Sequence, residues 1–281
     1  MIGVFDSGVG GLSVLRALVT RFPAQDFVYL GDQAHAPYGD RPSAEIVELT
    51  RRGALRLFEL GARLVLLGCN TATAVALRSL QRDWLPHAGW PERNVVGIVA
   101  PTVEAATQTP WAVTTPQYPQ KNNRERLAVF GTTRTIESGV YLEEIRKRCP
   151  HVRVTQQACP ALAGAIEAGR PERELAALVG EAVAALLAQQ AGCAPDRAIL
   201  GCTHFAIVEA LFRSALPAGV RILAQPEVVA DSLDDYLARH PRYAAASRGS
   251  VRLLTSGEVT HVSRVARIFW PDAPAFERAP G

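Results

Sequence analysis

Two cysteines occupy near-identical frames far apart in the chain: Leu67-Gly68-Cys69-Asn70-Thr71 and Leu200-Gly201-Cys202-Thr203-His204. Each follows a short apolar run that reads as a buried strand, and each precedes a stretch of helical character. A thiol at a strand end, next to hydroxyl and amide side chains, is placed for chemistry. Its reference pKa of about 8.5 lets a nearby cation or helix N-terminus turn it into a thiolate at neutral pH. Matched frames suggest one site with a thiol on either side. That arrangement suits removal of a proton from one face of a carbon and return of a proton to the other. A single cysteine reads first as an inert buried thiol. That reading holds for Cys149 and Cys193, and the matched frames reverse it for Cys69 and Cys202. His204, two residues beyond Cys202, becomes an orienting group or acid.

Asp6-Ser7-Gly8-Val9-Gly10-Gly11 follows the first apolar run and opens a helix. Free N–H groups at such a turn make an anion site. The third glycine falls at 11 rather than 13, so a dinucleotide fingerprint is incomplete, and a carboxylate substrate fits as well. Taken alone, Asp6 reads as a helix cap. Likewise Tyr38 and Gly39, in the turn-rich His35–Arg41 segment, read as structural until something else singles them out.

The elements that must position these groups alternate. Strand-like runs at Ile2–Phe5, Phe27–Leu30, Arg63–Leu67, Val95–Val99, Leu127–Phe130, Val152–Thr155, Ala198–Leu200, Val220–Leu223 and Val251–Thr255 are separated by helix-period stretches. This predicts an α/β fold with mainly parallel sheets. Ser43 reads as the N-cap of a helix reaching about Leu60. Val4-Phe5-Asp6-Ser7-Gly8 faintly repeats as Val129-Phe130-Gly131-Thr132-Thr133, spaced much as the two cysteines are. Two halves built alike would face each other across a cleft, a common place for a small-molecule site. Thr109–Arg126, with three prolines and many amides, reads as an exposed loop, and Pro271–Gly281 as a loose tail.

Composition excludes several classes. The 281 residues carry a net charge of +3 with basic and acidic residues interleaved, so nucleic-acid binding is not indicated. No apolar run is long enough to span a bilayer, and the N-terminus has no signal-type pattern. Five cysteines, an odd number without CxxC spacing, indicate neither a disulfide framework nor a zinc ribbon. The expectation is a reduced, cytoplasmic protein without a metal. Only Lys121 and Lys147 are lysines, and neither sits in a desolvated context. An amino-acid enzyme of this composition would work without the Schiff base of pyridoxal phosphate, hence without a cofactor.

Together, Asp6-Ser7-Gly8-Val9-Gly10-Gly11-Leu12-Ser13-Val14, Tyr29-Leu30-Gly31-Asp32, Pro37-Tyr38-Gly39, Cys69-Asn70-Thr71-Ala72-Thr73-Ala74 and Gly201-Cys202-Thr203-His204 resemble the ordered motif set of the cofactor-independent glutamate racemases. Thr135–Tyr141, Ala158-Cys159-Pro160 and Thr255-Ser256-Gly257 extend the likeness over nearly the whole chain. The resemblance implies two α/β domains related by a pseudo-dyad, with the active site between them. The corresponding division is 1–97 plus 209–281 for the first and 98–208 for the second. It implies Cys69 and Cys202 as the proton-transfer pair, assisted by Asp6 and His204, with Glu167 as a carboxylate on the histidine side. Ser7, Tyr38, Gly39, Asn70, Thr71, Thr203 and His204, together with Asp6, would hold L- or D-glutamate, and Thr132 and Thr133 would contact it by analogy between the halves. Cys-Thr-His in place of the Cys-Thr-Glu of aspartate racemases points to glutamate, used for peptidoglycan. A homodimer and a cell-wall-precursor activator are implied as partners to look for. The rival readings are aspartate racemase, a cysteine hydrolase using one thiol with His204, a metal site of Cys69, Cys202 and His204, and a binding module without turnover.

Overall fold

The computed structural model describes residues 1–113, 115–120, 124–244 and 248–280. Ten strands and eleven α-helices alternate among them. The first stretch holds β1 (Ile2–Asp6), α1 (Leu12–Arg21), β2 (Phe27–Gly31), α2 (Ser43–Glu59), β3 (Leu64–Leu67), α3 (Asn70–Ser79), β4 (Asn94–Gly97) and α4 (Val99–Thr107). The second holds β5 (Arg126–Gly131), α5 (Thr133–Glu137), α6 (Val140–Arg148), β6 (Arg153–Ala158), α7 (Leu162–Glu167), α8 (Glu172–Gln189), β7 (Arg197–Gly201), α9 (Glu209–Ala215) and β8 (Arg221–Leu223). The last holds α10 (Gln225–Arg239), β9 (Val251–Thr255), α11 (Val259–Ala266) and β10 (Phe276–Arg278).

These strands form two sheets, and every pairing in them is parallel. One has the order β10-β9-β2-β1-β3-β4, the other β6-β5-β7-β8. The segments β2-β1-β3-β4 and β6-β5-β7-β8 repeat one order, so the faint repeat of the sequence corresponds to a repeat of topology. In both, the cysteine-bearing strand lies beside the strand that starts its half. Strands buried on both faces need apolar residues throughout, and β1, β2, β3 and β7 are buried at every position. One core cluster runs from Ile2 and Val4 through Leu12 and Leu15 to Phe130, Leu200, Phe205 and Phe212, so the two sheets share packing.

Several expectations are corrected. The N-cap of α2 is Pro42, with φ −58° and ψ 142°; Ser43 is the first helical residue. Two strands are shifted: the fourth ends at Gly97, leaving Val99 to open α4, and the sixth runs to Ala158. The boundary after residue 208 would assign β8 to the first unit, whereas β8 pairs with β7 in the second sheet. The C-terminal segment is no loose tail up to Pro280. Phe276 is buried, meets Tyr29 edge-on at 6.2 Å, and its strand pairs with β9. In the 109–126 segment, Thr114 and Lys121–Asn123 lie outside the described residues, as does Gly281. Lys147 forms ion pairs with Glu143 and Glu144 on α6. Among the described residues, no helix is long and apolar enough to cross a membrane.

Candidate active site

Parallel strands send their C-terminal ends to one edge of a sheet, where loops carry the polar groups. In register, Asp6 ends β1 opposite Gly31, and Phe5 lies opposite Leu67, two residues before Cys69. In the other sheet, Gly131 lies opposite both Ala158 and Gly201, so Thr132, Cys159 and Cys202 emerge together. The turn from Asp6 to Gly11 touches both groups. Ser7 Oγ is 3.4 Å from Cys69 Sγ. At Gly10 an added Cβ would lie 2.5 Å from Thr203 Oγ1 and overlap His204 Nδ1. Ser13 Oγ donates to the Thr203 carbonyl at 3.3 Å. Glycine at position 10 is therefore required by close approach of the second half.

On the first wall, Cys69 is the N-cap of α3, and its sulfur accepts from Ala72 N at 3.4 Å. Burial pushes the Cys69 thiol up to about 12, with the Asp6 charge adding to the shift and the Ser7 and Ala72 hydrogen bonds opposing it. Thr71 Oγ1 meets Thr132 Oγ1 at 2.9 Å and Thr135 Oγ1 at 3.3 Å, joining this wall to the N-terminus of α5. Tyr38 is turned to Asp32, to which its hydroxyl donates at 2.7 Å; His35 and Ser256 complete the carboxylate's partners. Gly39 packs against Thr132. The Asn70 amide is engaged elsewhere: it exchanges hydrogen bonds with Gln225 at 2.7 and 3.1 Å and accepts from Tyr141 at 2.7 Å. What Asn70 offers a ligand is thus chiefly the backbone at the start of α3.

On the second wall, Cys202 Sγ is 3.7 Å from His204 Nδ1, and His204 Nε2 is 2.7 Å from Glu167 Oε1. Burial alone would lower the His204 pKa; its bonds to Cys202 and Glu167 overcome that and hold it well above the usual value. Burial likewise works against the Glu167 charge, and His204 wins there too, keeping the carboxylate ionised. The Phe269 ring stands edge-on to the His204 ring at 5.2 Å. Cys159, the third thiol of this edge, is raised to about 12 by burial and by the charge of nearby Cys202.

The structure therefore brings Asp6, Ser7, Gly8, Cys69, Glu167, Cys202, Thr203 and His204 together, with Thr71 and Thr132 alongside. The fields of the two thiols reach each other: a Cys202 thiolate raises the Cys69 pKa. Each thiol has its own ionisable neighbour, Asp6 for Cys69 and the His204–Glu167 pair for Cys202. Such a site can hold one sulfur as thiol and the other as thiolate. Gln33, Asp32, Tyr141 and Gln225 were not singled out by sequence. Asp32 and Tyr141 sit inside motifs of the resemblance, which was a signal; Gln33 and Gln225 act through partners far away in the chain.

Asp6 is fully buried, and desolvation raises its pKa from 3.8 to about 6, against the pull of His204 and the Gly8 and Gly11 amides. A raised carboxyl favours the protonated fold. Its contribution to stability is complete below pH 3.8 and is lost as pH rises through about 6. Holding the charge at pH 8 then costs about 2–3 kcal/mol. Asp6→Asn cannot ionise, keeps the acceptor for Gly8 N, and should melt higher than the wild type at pH 8 but not at pH 4, while losing activity. A variant melting lower at pH 8 would contradict this electrostatic account.

Residues 2–233 match the Asp/Glu/Hydantoin racemase family. The chain is 51% identical over 284 residues to the glutamate racemase of Phenylobacterium zucineum, covering 99% of each. Among solved structures, it is similar to a glutamate racemase from Bacillus anthracis (27% identity, TM-score 0.81, covering 100% of this chain and 97% of that one). It is also similar to the glutamate racemase from Thermus thermophilus in complex with beta-chloro-D-alanine (30% identity, TM-score 0.75, covering 99% and 95%). With a matched profile over most of its length and full-length relatives at this identity, the chain belongs to the Asp/Glu/Hydantoin racemase family.

Proposed function

We propose that this chain interconverts L- and D-glutamate by 1,1-proton transfer between two cysteines, without pyridoxal phosphate, so providing D-glutamate for peptidoglycan. The observation that carries the reading is the turn Ser7–Gly10, which touches Cys69 at one end and His204 with Thr203 at the other. One small ligand lying on this turn would have a thiol on each side. The full-length likeness to proteins named glutamate racemase supplies the substrate.

Glutamate's α-proton is weakly acidic, so the developing carbanion needs donors aimed at the α-carboxylate. The backbone opening α3 and the hydroxyls of Ser7, Thr71, Thr132 and Thr203 are the candidates. In one direction the Cys69 thiolate takes the α-proton while the Cys202 thiol gives its proton to the opposite face; the reverse reaction exchanges the roles. Asp6 assists Cys69 as its ionisable neighbour, its charge acting on the acidity of that thiol, and ionised Glu167 keeps His204 oriented toward Cys202. Two fixed groups gain from positioning where a single shuttling group would have to cross the carbon. A one-thiol hydrolase would leave Cys69 and its own carboxylate without a task.

Purified protein incubated with L-glutamate in heavy water, without added pyridoxal phosphate, should yield D-glutamate carrying deuterium at Cα. Absence of inversion under these conditions, with folded protein, would overturn the reading.

A further inference from the structure

The Glu167–His204 pair has a third member from the other half of the molecule. Gln33 stands just after β2, on the short helical turn Gln33–His35. Its Nε2 donates to Glu167 Oε2 at 3.2 Å, while Glu167 Oε1 faces His204 Nε2 at 2.7 Å and His204 Nδ1 faces Cys202 Sγ at 3.7 Å. Each carboxylate oxygen of Glu167 thus has a separate partner. A bond to one oxygen turns the other toward the imidazole.

The orientation of the Gln33 amide is dictated by this contact. Its Oε1 is buried beside Gly8 and has no hydrogen-bond partner among the described residues. An unpaired buried acceptor is costly, because the desolvation of that atom goes uncompensated. Turning the amide over would set its oxygen against the Glu167 carboxylate, a worse arrangement. The side chain is also held from behind, since a Cβ at Gly257 would lie 2.8 Å from Gln33 Cβ. Gln33 therefore carries an unsatisfied atom in order to present an N–H to Glu167, and it does so across the boundary between the two sheets.

We propose that Gln33 is a positioning residue for the Cys202 side of the reaction, acting through Glu167 and His204 and not on Cys69. This rests on the two-thiol reading above. Loss of one charge-assisted hydrogen bond of about 1.4 kcal/mol corresponds to a tenfold change in rate. Gln33→Met, of similar length and volume, should lower kcat/KM about tenfold. The loss must be equal in both directions, because the enantiomers have equal free energy.

What separates positioning from simple destabilisation is the isotope effect of α-deuterated substrate, measured on kcat/KM for each enantiomer. Slowing transfer at Cys202 makes that step limiting both ways. The effect should then grow for the enantiomer whose proton Cys202 takes and shrink for the other. Glu167→Gln should shift the two values in the same sense, and Ser7→Ala, beside Cys69, in the opposite sense. Gln33→Glu, which sets carboxylate against carboxylate, should show the Gln33→Met asymmetry with a larger loss of rate. Unchanged isotope effects in both Gln33 variants, or an asymmetry matching Ser7→Ala, would overturn the assignment. Failure of the wild type to racemise would instead sink the underlying reading, so the two failures are distinguishable.

Discussion

Cys69→Ser and Cys202→Ser should each lower racemisation of glutamate at least a thousandfold, with far-ultraviolet circular dichroism unchanged. The reasoning starts from acidity. A positioned acid or base contributes roughly 10²–10⁴ in rate. An alcohol lies well above a thiol, so serine can neither hold the charge nor give up its proton on the required timescale. Both sulfurs are buried, so neither can be replaced by bulk water. Oxygen is smaller than sulfur, and the change leaves only a small void at sites of 6% exposure each. Equal loss at both positions separates a proton relay from a nucleophilic mechanism. In the latter, only the cysteine beside His204 would be essential, and chiral analysis of the product decides the matter.

Gly10→Ala should cost a hundredfold or more in kcat while leaving a folded protein. The added methyl would lie 2.5 Å from Thr203 Oγ1 and collide with the His204 ring. Neither neighbour can yield freely: His204 is tied to Glu167 and backed by Phe269, and the Thr203 carbonyl is bonded to Ser13. Overpacking of this kind costs about 1–3 kcal/mol in stability. Displacing a reacting group by about 1 Å costs on the order of a hundredfold in rate. Steady-state kinetics beside thermal melts would show whether activity falls far more than stability. A Gly10→Ala enzyme with wild-type kcat would mean that the turn does not set the position of His204.

Much of this site was legible in the sequence because its parts lie in short, local patterns. Strands buried on both faces are short apolar runs, and the polar residue that follows each run falls at the edge of a sheet. That placed Cys69, Cys202, Asp6 and His204 at strand ends without any knowledge of pairing, and the matched frames of the two thiols anticipated the repeated strand order. What was not legible depends on distant partners. Gln33 meets Glu167 across 134 positions; Glu167 was reached only through the family resemblance, and nothing local marks Gln33. Asn70 looked like a ligand-holding amide, but its side chain is taken up by Tyr141 and by Gln225, 155 positions away. The tail was misread because Pro271, Pro274 and Pro280 dominate its composition, while the anchoring signal is a single aromatic, Phe276, whose pocket beside Tyr29 exists only once the sheet has formed.

The central claim is that the two thiols serve opposite faces of one carbon, and the retained thiol of each single variant reports on its own face. In heavy water, Cys69→Ser keeps Cys202 and should place deuterium at Cα of one enantiomer of glutamate without inverting it. Cys202→Ser keeps Cys69 and should label only the mirror-image enantiomer. Proton nuclear magnetic resonance of the recovered L- and D-glutamate measures both. Complementary labelling is the expected result; labelling of the same enantiomer by both variants would contradict the account.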